Sequence, residues 1–169
     1  MTLLRIALLA IALVLGNPAH ADFSGRVVRV SDGDTLDVLV NRRAVRVRLA
    51  QIDAPEKRQA FGGRARQTLF SLTYRQNVMV IEAGLDHYGR TVGTVYIGHI
   101  NVNHELVRRG MAWADRYHFG DPALLRVEAE ARRQKLGLWA NPSPEPPWNF
   151  RKRSAKRRPV RPVHRRRKR

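Results

Sequence analysis

The sequence contains no cysteine, which excludes disulfides, thiol nucleophiles and cysteine-ligated zinc sites. Its six histidines are scattered and include no His-x-x-x-His pair, which argues against a zinc enzyme. No apolar run approaches the ~20 residues that a membrane-spanning helix needs. Acidic residues are scarce, with 14 Asp and Glu against 32 Lys and Arg, so the formal net charge is +18. This excess of positive charge indicates a polyanionic partner.

The first 21 residues have the pattern of a secretory signal peptide. Arg5 precedes a ten-residue apolar run at 6–15, and a small-x-small cleavage sequence ends at Ala21. We expect cleavage after Ala21, and therefore a secreted or periplasmic protein. An uncleaved membrane anchor is the alternative interpretation.

The other end of the chain is dominated by positive charge. Residues 151–169 contain twelve Lys and Arg and no acid. Such a segment cannot bury apolar surface, and its like charges repel, so we expect a disordered basic tail that is attracted to polyanions. The proline-rich residues 141–150 are interpreted as a linker from a folded domain at 22–140. The alternative function for the tail is adhesion to anionic polymers of the cell surface.

The folded domain begins with a period-two pattern. Apolar and polar residues alternate from Phe23 to Leu49, which predicts three antiparallel strands. Two further strands and three helices are predicted at 78–81, 92–97, 61–74, 102–109 and 121–136. Five short strands interrupted by about three helices indicate an α+β, mainly β fold, a five-stranded OB-fold barrel. The pattern alone leaves another small α+β fold open.

Three carboxylates occur in loops beside predicted strands. Asp34 leads into the second strand, and Asp53 and Glu56 flank Ala54-Pro55 after the third. Loop carboxylates are oxygen ligands of the kind that calcium prefers, and this spacing could aim Asp53 at a metal and Glu56 at a water molecule. The same spacing also fits the first turn of a helix. The residues alone leave both interpretations open.

Arginines near these carboxylates could stabilise the negative charge that develops during phosphodiester hydrolysis, because a planar guanidinium can hold two phosphate oxygens. Arg46 and Arg48 lie on one face of the third strand, and Arg90 follows a Tyr-Gly turn. Any of the three could instead belong to a solvated sheet face. Composition does not distinguish Arg48 from Arg46.

Five motifs, in order and at suitable spacing, resemble the staphylococcal nuclease family. They span about residues 24–139 and comprise SDGDT at 31–35, RLAQIDAPE at 48–56, DHYGR at 86–90, VNHELVRRG at 102–110 and AEARRQKLGLW at 129–139. The resemblance implies a five-stranded barrel capped by helices. It also implies calcium-dependent hydrolysis of DNA and RNA with little sequence preference.

The resemblance implies specific roles for the loop residues. Asp34, Asp53 and the main-chain carbonyl of Ala54 would bind Ca²⁺. Many relatives have threonine at position 54, but a carbonyl ligand does not depend on the side chain. Glu56 would act as the general base or position the attacking water.

The remaining roles concern the substrate. The resemblance implies that Arg48 and Arg90 stabilise the phosphate and that Tyr88 contacts the nucleic acid. His87 stands where a lysine is common, so this phosphate contact would be weaker or pH-dependent. We expect a monomer. The alternative function is a non-catalytic nucleic-acid-binding module of the same fold, although such a module would have no evident need for this whole residue set.

Overall fold

The structure is a computed structural model, and it describes residues 22–115 and 121–156. The predicted signal peptide at 1–21 lies outside the described residues. So does the part of the predicted basic tail at 157–169.

Five strands form a mixed β-barrel: β1 (Phe23–Val30), β2 (Thr35–Val40), β3 (Arg43–Leu49), β4 (Asn77–Leu85) and β5 (Thr91–Ile97). β1 pairs with β2 and β4, β2 pairs with β3, and β4 pairs with β5, all antiparallel. The barrel closes where β3 and β5 run parallel, with Leu49 opposite Gly93. The prediction of an α+β fold built on a five-stranded OB-fold barrel is confirmed.

The barrel core consists of the apolar members of the period-two pattern. These side chains are fully buried, and each contributes roughly 1.5–3 kcal/mol through burial. They include Val27, Leu36, Val38, Val47, Val80 and Val95.

Three helices pack around the barrel, and all three were predicted: α1 (Gly62–Thr73), α2 (Val102–Arg108) and α3 (Pro122–Arg133). Asp121 caps α3 by accepting a hydrogen bond from the N–H of Ala123 at 2.8 Å, and Pro122 occupies the first turn. A short 3₁₀ helix, Gly137–Ala140, follows α3. Three two-residue strands, which were not predicted, complete the described fold: Ile52–Asp53, which pairs with Trp113–Ala114, and Ile100–Asn101, which pairs antiparallel with the end of β5.

Asn103 connects α2 to the closure of the barrel. Its side chain is buried, accepts a hydrogen bond from the N–H of Val95 at 3.1 Å, and donates one to the carbonyl of Ala50 at 2.9 Å. A second donation reaches the carbonyl of Gly93. Because Ala50 follows β3 and Gly93 lies in β5, one amide stabilises the parallel seam from both sides.

A fourth helix, α4 (Pro147–Lys156), corrects the prediction for the C-terminal part of the chain. The linker predicted at 141–150 ends in this helix, and the first six residues of the predicted disordered tail continue it. Apolar packing holds this helix against the rest of the protein: Trp148 packs edge-on against Trp113, with 6.4 Å between the ring centroids. Both belong to a second, smaller core with Ala131, Leu138 and Trp139.

Across the described ranges, no helix has the length and apolar character needed to cross a membrane.

Candidate active site

Two loops meet at one end of the barrel and bring the predicted carboxylates together. Asp34, in the turn between β1 and β2, accepts a hydrogen bond from the N–H of Ala54 at 2.8 Å. Its carbonyl accepts another from the N–H of Leu49, also at 2.8 Å. Only glycine fits at position 33, because a Cβ there would lie 2.7 Å from the Cβ atoms of Ala54 and Ala65. The turn can therefore pack directly onto the loop that carries Asp53.

Asp34 is a buried carboxylate with two other carboxylates nearby. Burial raises the pKa of Asp34 to about 7, against the opposing effect of Arg48, and the nearby Asp32 and Asp53 add to the increase. A buried carboxylate among other carboxylates needs a cation to stay ionised. The pair Asp34 and Asp53 is thus suited to a divalent metal.

Arg48 extends from β3 between these two carboxylates. Its guanidinium lies 3.2 Å from Asp34 and 3.1 Å from Asp53. It also donates hydrogen bonds to the carbonyls of Leu49 and Ile52, each at 2.9 Å. Arg46 instead pairs with Asp37 outside the site at 2.9 Å. Of the two arginines that composition does not distinguish, Arg48 therefore lines the site and Arg46 does not.

Glu56 lies on a tight turn at the entrance of the site. Its N–H donates to the side-chain oxygen of Gln59 at 3.0 Å, and its carbonyl accepts from the N–H of Gln59 at 2.8 Å. α1 begins directly behind this turn, since a Cβ at Gly62 would lie 2.0 Å from the Glu56 carbonyl oxygen. The side chain of Glu56 is 38% exposed. A water molecule or a substrate can therefore reach this carboxylate.

The third contributor is the hairpin between β4 and β5. Asp86 accepts hydrogen bonds from the N–H groups of Tyr88 and Arg90, and its second oxygen accepts from the guanidinium of Arg90 at 2.7 Å. Burial alone would raise the pKa of Asp86, but the hydrogen bonds from Arg90 and Tyr88 together hold that pKa below its usual value. The rings of His87 and Tyr88 lie 3.8 Å apart, and Tyr88 is largely exposed.

One cavity of about 360 Å³ joins these groups. All eight residues predicted from the sequence line it: Asp34, Arg48, Asp53, Ala54, Glu56, His87, Tyr88 and Arg90. The structure thus brings the whole predicted set together, while the role of each residue stays a prediction. The cavity also contains Asp32, whose carboxylate adds to its negative charge.

Arg151 also lines the cavity, and sequence reasoning missed it. It extends from α4 and donates hydrogen bonds to both oxygens of Asp53, at 3.1 and 2.7 Å, and to Glu56 at 2.8 Å. The hydrogen bond to Asp53 is the main reason why the pKa of Arg151 is raised, against the effect of burial. The sequence signal was the pair of aromatic residues Trp148 and Phe150, which is unusual for a solvated linker.

The donor set fits a hard cation bound partly by carbonyl oxygens and water. Among the described residues, no cluster of three or more His, Cys, Asp or Glu side chains could hold a metal. Asp34 and Asp53 supply two carboxylates, so the main-chain carbonyl of Ala54 and water would have to complete a calcium site, as that ion's flexible coordination allows.

Comparison with known proteins points to one family. The family model described as staphylococcal nuclease homologue matches residues 46–141. The chain is similar to the micrococcal nuclease of Shigella flexneri, with 52% identity over 163 residues that cover 89% of this chain and 93% of the relative. It is also similar to protein ParB of Escherichia coli, with 49% identity covering 92% and 94%. An uncharacterized endonuclease of Haemophilus influenzae is 42% identical, covering 89% and 85%.

Proposed function

Because this chain belongs to the staphylococcal nuclease homologue family, we propose that it is a calcium-dependent nuclease that hydrolyses phosphodiester bonds of DNA and RNA with little sequence preference. The observation that carries the proposal is the single cavity, which combines carboxylates for a cation, an accessible carboxylate for a base and arginines for a phosphate. A module that only binds nucleic acid would not need the first two.

Asp34, Asp53 and the carbonyl of Ala54 would hold the calcium ion. A bound calcium ion supplies positive charge that polarises the phosphate and offsets the charge of the transition state. The buried carboxylate of Asp34 is already fixed by the N–H of Ala54 and by Arg48, and the same arginine also pairs with Asp53.

Glu56 acts as the general base or positions the attacking water. As a general base, the Glu56 carboxylate would take a proton from the water as the water oxygen bonds to phosphorus; the leaving oxygen would depart with the bonding electron pair and take a proton from solvent water. Glu56 suits this role because its exposed carboxylate lies at the entrance of the cavity, while its backbone is fixed by Gln59.

Arg48 and Arg90 stabilise the extra negative charge on the phosphate. Both guanidiniums are held in place before substrate arrives, Arg48 by main-chain carbonyls and Arg90 by Asp86. Donors that are already oriented cost little reorganisation during the reaction. Tyr88 and His87, beside Arg90 on the exposed hairpin, would contact the rest of the nucleic acid.

The sequence adds two proposals about the cellular setting. Export through the segment 1–21 would place the enzyme outside the cytoplasm, where it would meet nucleic acid from other sources. The basic residues at 157–169 would hold the enzyme on its polyanionic substrate.

The decisive experiment is digestion of single-stranded DNA by the purified protein, with calcium and with a chelator, beside Glu56→Gln. We expect cleavage that requires calcium and falls by about 10²–10⁴-fold in the variant, which is the usual contribution of a general base. Glu130→Gln is the matched control, because Glu130 lies half-exposed on α3, away from the cavity.

Calcium titration of each variant by calorimetry separates a lost base from a lost fold. Glu56→Gln should still bind calcium. Tight DNA binding without cleavage, with calcium or any other divalent metal, would replace this proposal with the binding module.

A further inference from the structure

We propose that Arg151 is a positioning residue of this active site, which fixes the carboxylate of Glu56 relative to that of Asp53. This inference rests on the proposed nuclease function. It adds a residue that lies beyond 46–141, the part of the chain that the family model matches.

The contact geometry is specific. One guanidinium nitrogen of Arg151 reaches both Asp53, at 3.1 Å, and Glu56, at 2.8 Å. The other lies 2.7 Å from the second oxygen of Asp53. A planar guanidinium with several fixed donors can hold two carboxylates in one arrangement, which a flexible ammonium group does less well. Without it, the two like charges would repel each other.

Glu56 needs such support because of where it lies. Its side chain is 38% exposed on a turn, and an unrestrained glutamate loses considerable rotamer entropy when it is held in one orientation. A general base must lie within hydrogen-bond reach of the attacking water, and even a small displacement of the base lowers the reaction rate. Arg151 engages one oxygen of Glu56, which restricts the rotamer of the side chain.

The packing of α4 against the rest of the protein determines where Arg151 lies. Pro147 is buried, Trp148 packs on Trp113, and Arg153 pairs with Glu145 at 2.6 Å. α4 is therefore anchored in the second core and by an ion pair at its start, so Arg151 approaches the cavity from a fixed base.

A second link joins the same C-terminal segment to the Glu56 turn. The side-chain nitrogen of Gln59 donates to the carbonyl of Glu145, and its oxygen accepts from the N–H of Glu56. Residues 145–151 thus contact Glu56 twice, through its backbone by way of Gln59 and through its carboxylate by way of Arg151. Both contacts restrain the same residue, which supports a positioning role.

The test is Arg151→Met in the full chain, which keeps the length of the stem and removes the guanidinium. Cleavage of single-stranded DNA is measured at calcium concentrations that calorimetry shows to be saturating for each variant. We expect kcat to fall roughly 10- to 100-fold, the usual cost of a misplaced reacting group, with KM nearly unchanged. Arg126→Met, on the exposed side of α3 and outside the cavity, is the matched control and should keep wild-type kcat.

A double-mutant cycle identifies the residue through which Arg151 acts. If Arg151 works by holding Glu56, then Arg151→Met should change kcat less than about twofold in a Glu56→Gln background, because residues that act as a unit are not additive. If Arg151→Met lowered kcat as much in the Glu56→Gln background as it does in the wild type, the proposal would be overturned, because Arg151 would then act on something other than Glu56.

Two further outcomes would also overturn it. A rise in KM alone would make Arg151 a substrate-binding residue. Turnover in Arg151→Met equal to that of the wild type would mean that Arg151 does not act in the reaction, and faster turnover would mean that its ion pairs inhibit the site. Failure of the nuclease proposal itself would look different, because the wild type and Arg126→Met would then both be inactive.

Discussion

At the scale of single residues, Asp86 determines where Arg90 lies. Both of its carboxylate oxygens are used inside the hairpin, one by the N–H groups of Tyr88 and Arg90 and the other by the Arg90 guanidinium. The ring of Tyr88 lies beneath that guanidinium at 5.5 Å. Asp86 therefore fixes the turn and also orients the arginine that would meet the phosphate.

Replacing Asp86 by alanine should lower kcat/KM by about tenfold, because the freed Arg90 loses charge-assisted hydrogen bonds of the kind that contribute about 1.5–3 kcal/mol each. The decrease is measured on single-stranded DNA at saturating calcium. Asp22→Ala is the control, since Asp22 accepts an exposed hydrogen bond from the N–H of Glu82, away from the cavity. Adding Asp86→Ala to Arg90→Ala should cause little further decrease. A large additional decrease would mean that Asp86 acts independently of Arg90.

The contrast between Arg46 and Arg48 explains what the sequence could predict at this scale. Both residues lie on the same face of β3, so the period-two pattern treats them alike. The strand register separates them, because Arg46 stands opposite Asp37 and Arg48 stands opposite Thr35. Arg46 therefore has a carboxylate partner across the strand, and Arg48 turns into the cavity. Register is a property of paired strands, so a single sequence does not reveal it.

At the scale of elements, Glu105 stabilises the end of α2. It accepts two hydrogen bonds from Arg108, each at 2.7 Å, and one from Arg109 at 2.6 Å. The hydrogen bonds from Arg108, opposed by burial and reinforced by Arg109, lower the pKa of Glu105 to about 2 from its usual 4.5. A carboxylate with a lowered pKa in the folded state stabilises the fold above its unfolded pKa, and this contribution disappears as the pH falls.

Glu105→Gln should therefore destabilise the protein at pH 7 by about 1 kcal/mol, a modest amount because both arginines are largely exposed and solvent screens the pairs. In thermal denaturation this is a decrease of roughly 2–4 °C in Tm. The difference from the wild type should shrink as the pH falls from about 4.5 towards 2. A difference of constant size across that range would show that charge on Glu105 is not the cause. Glu130→Gln on α3 serves as the control.

The elements also show where pattern and composition predict well and where they do not. The five strands and helices α1 to α3 follow from apolar periodicity, caps and glycine stops, which are local signals. α4 was missed because its many charged residues dominate its composition, whereas its stability comes from Pro147 and Trp148 against a distant second core. Arg151 was missed for the same reason. Hydrogen bonds between residues about a hundred positions apart leave no local pattern.

At the scale of the whole molecule, we propose that positive charge serves two purposes. Arg48 and Arg151 pair with Asp53 in the cavity, and Arg90 pairs with Asp86 in the adjoining hairpin, so their positive charges have local partners. The eight Lys and Arg residues at 157–169 have no acidic neighbours in sequence. Their proposed contribution is long-range attraction, which acts on any polyanion and depends on salt. Chemistry and affinity should therefore be separable by shortening the chain.

Removal of residues 157–169 should weaken DNA binding at low salt and leave kcat unchanged. Binding is measured as a function of salt in a Glu56→Gln background, so that the DNA stays intact. For every phosphate that the shortened chain no longer neutralises, the plot of log affinity against log salt should become flatter by roughly 0.7 on single-stranded DNA. A full-length chain with the eight Lys and Arg replaced by glutamine separates the effect of charge from that of length.

The glutamine chain should behave like the shortened chain, because counterion release depends on charge alone. Equal salt slopes for the wild type and the glutamine chain would mean that the segment does not touch nucleic acid, and would favour attachment to anionic polymers of the cell surface. A fall in kcat on shortening would mean that 157–169 supports α4, because Arg151 would then lose its fixed approach to Glu56.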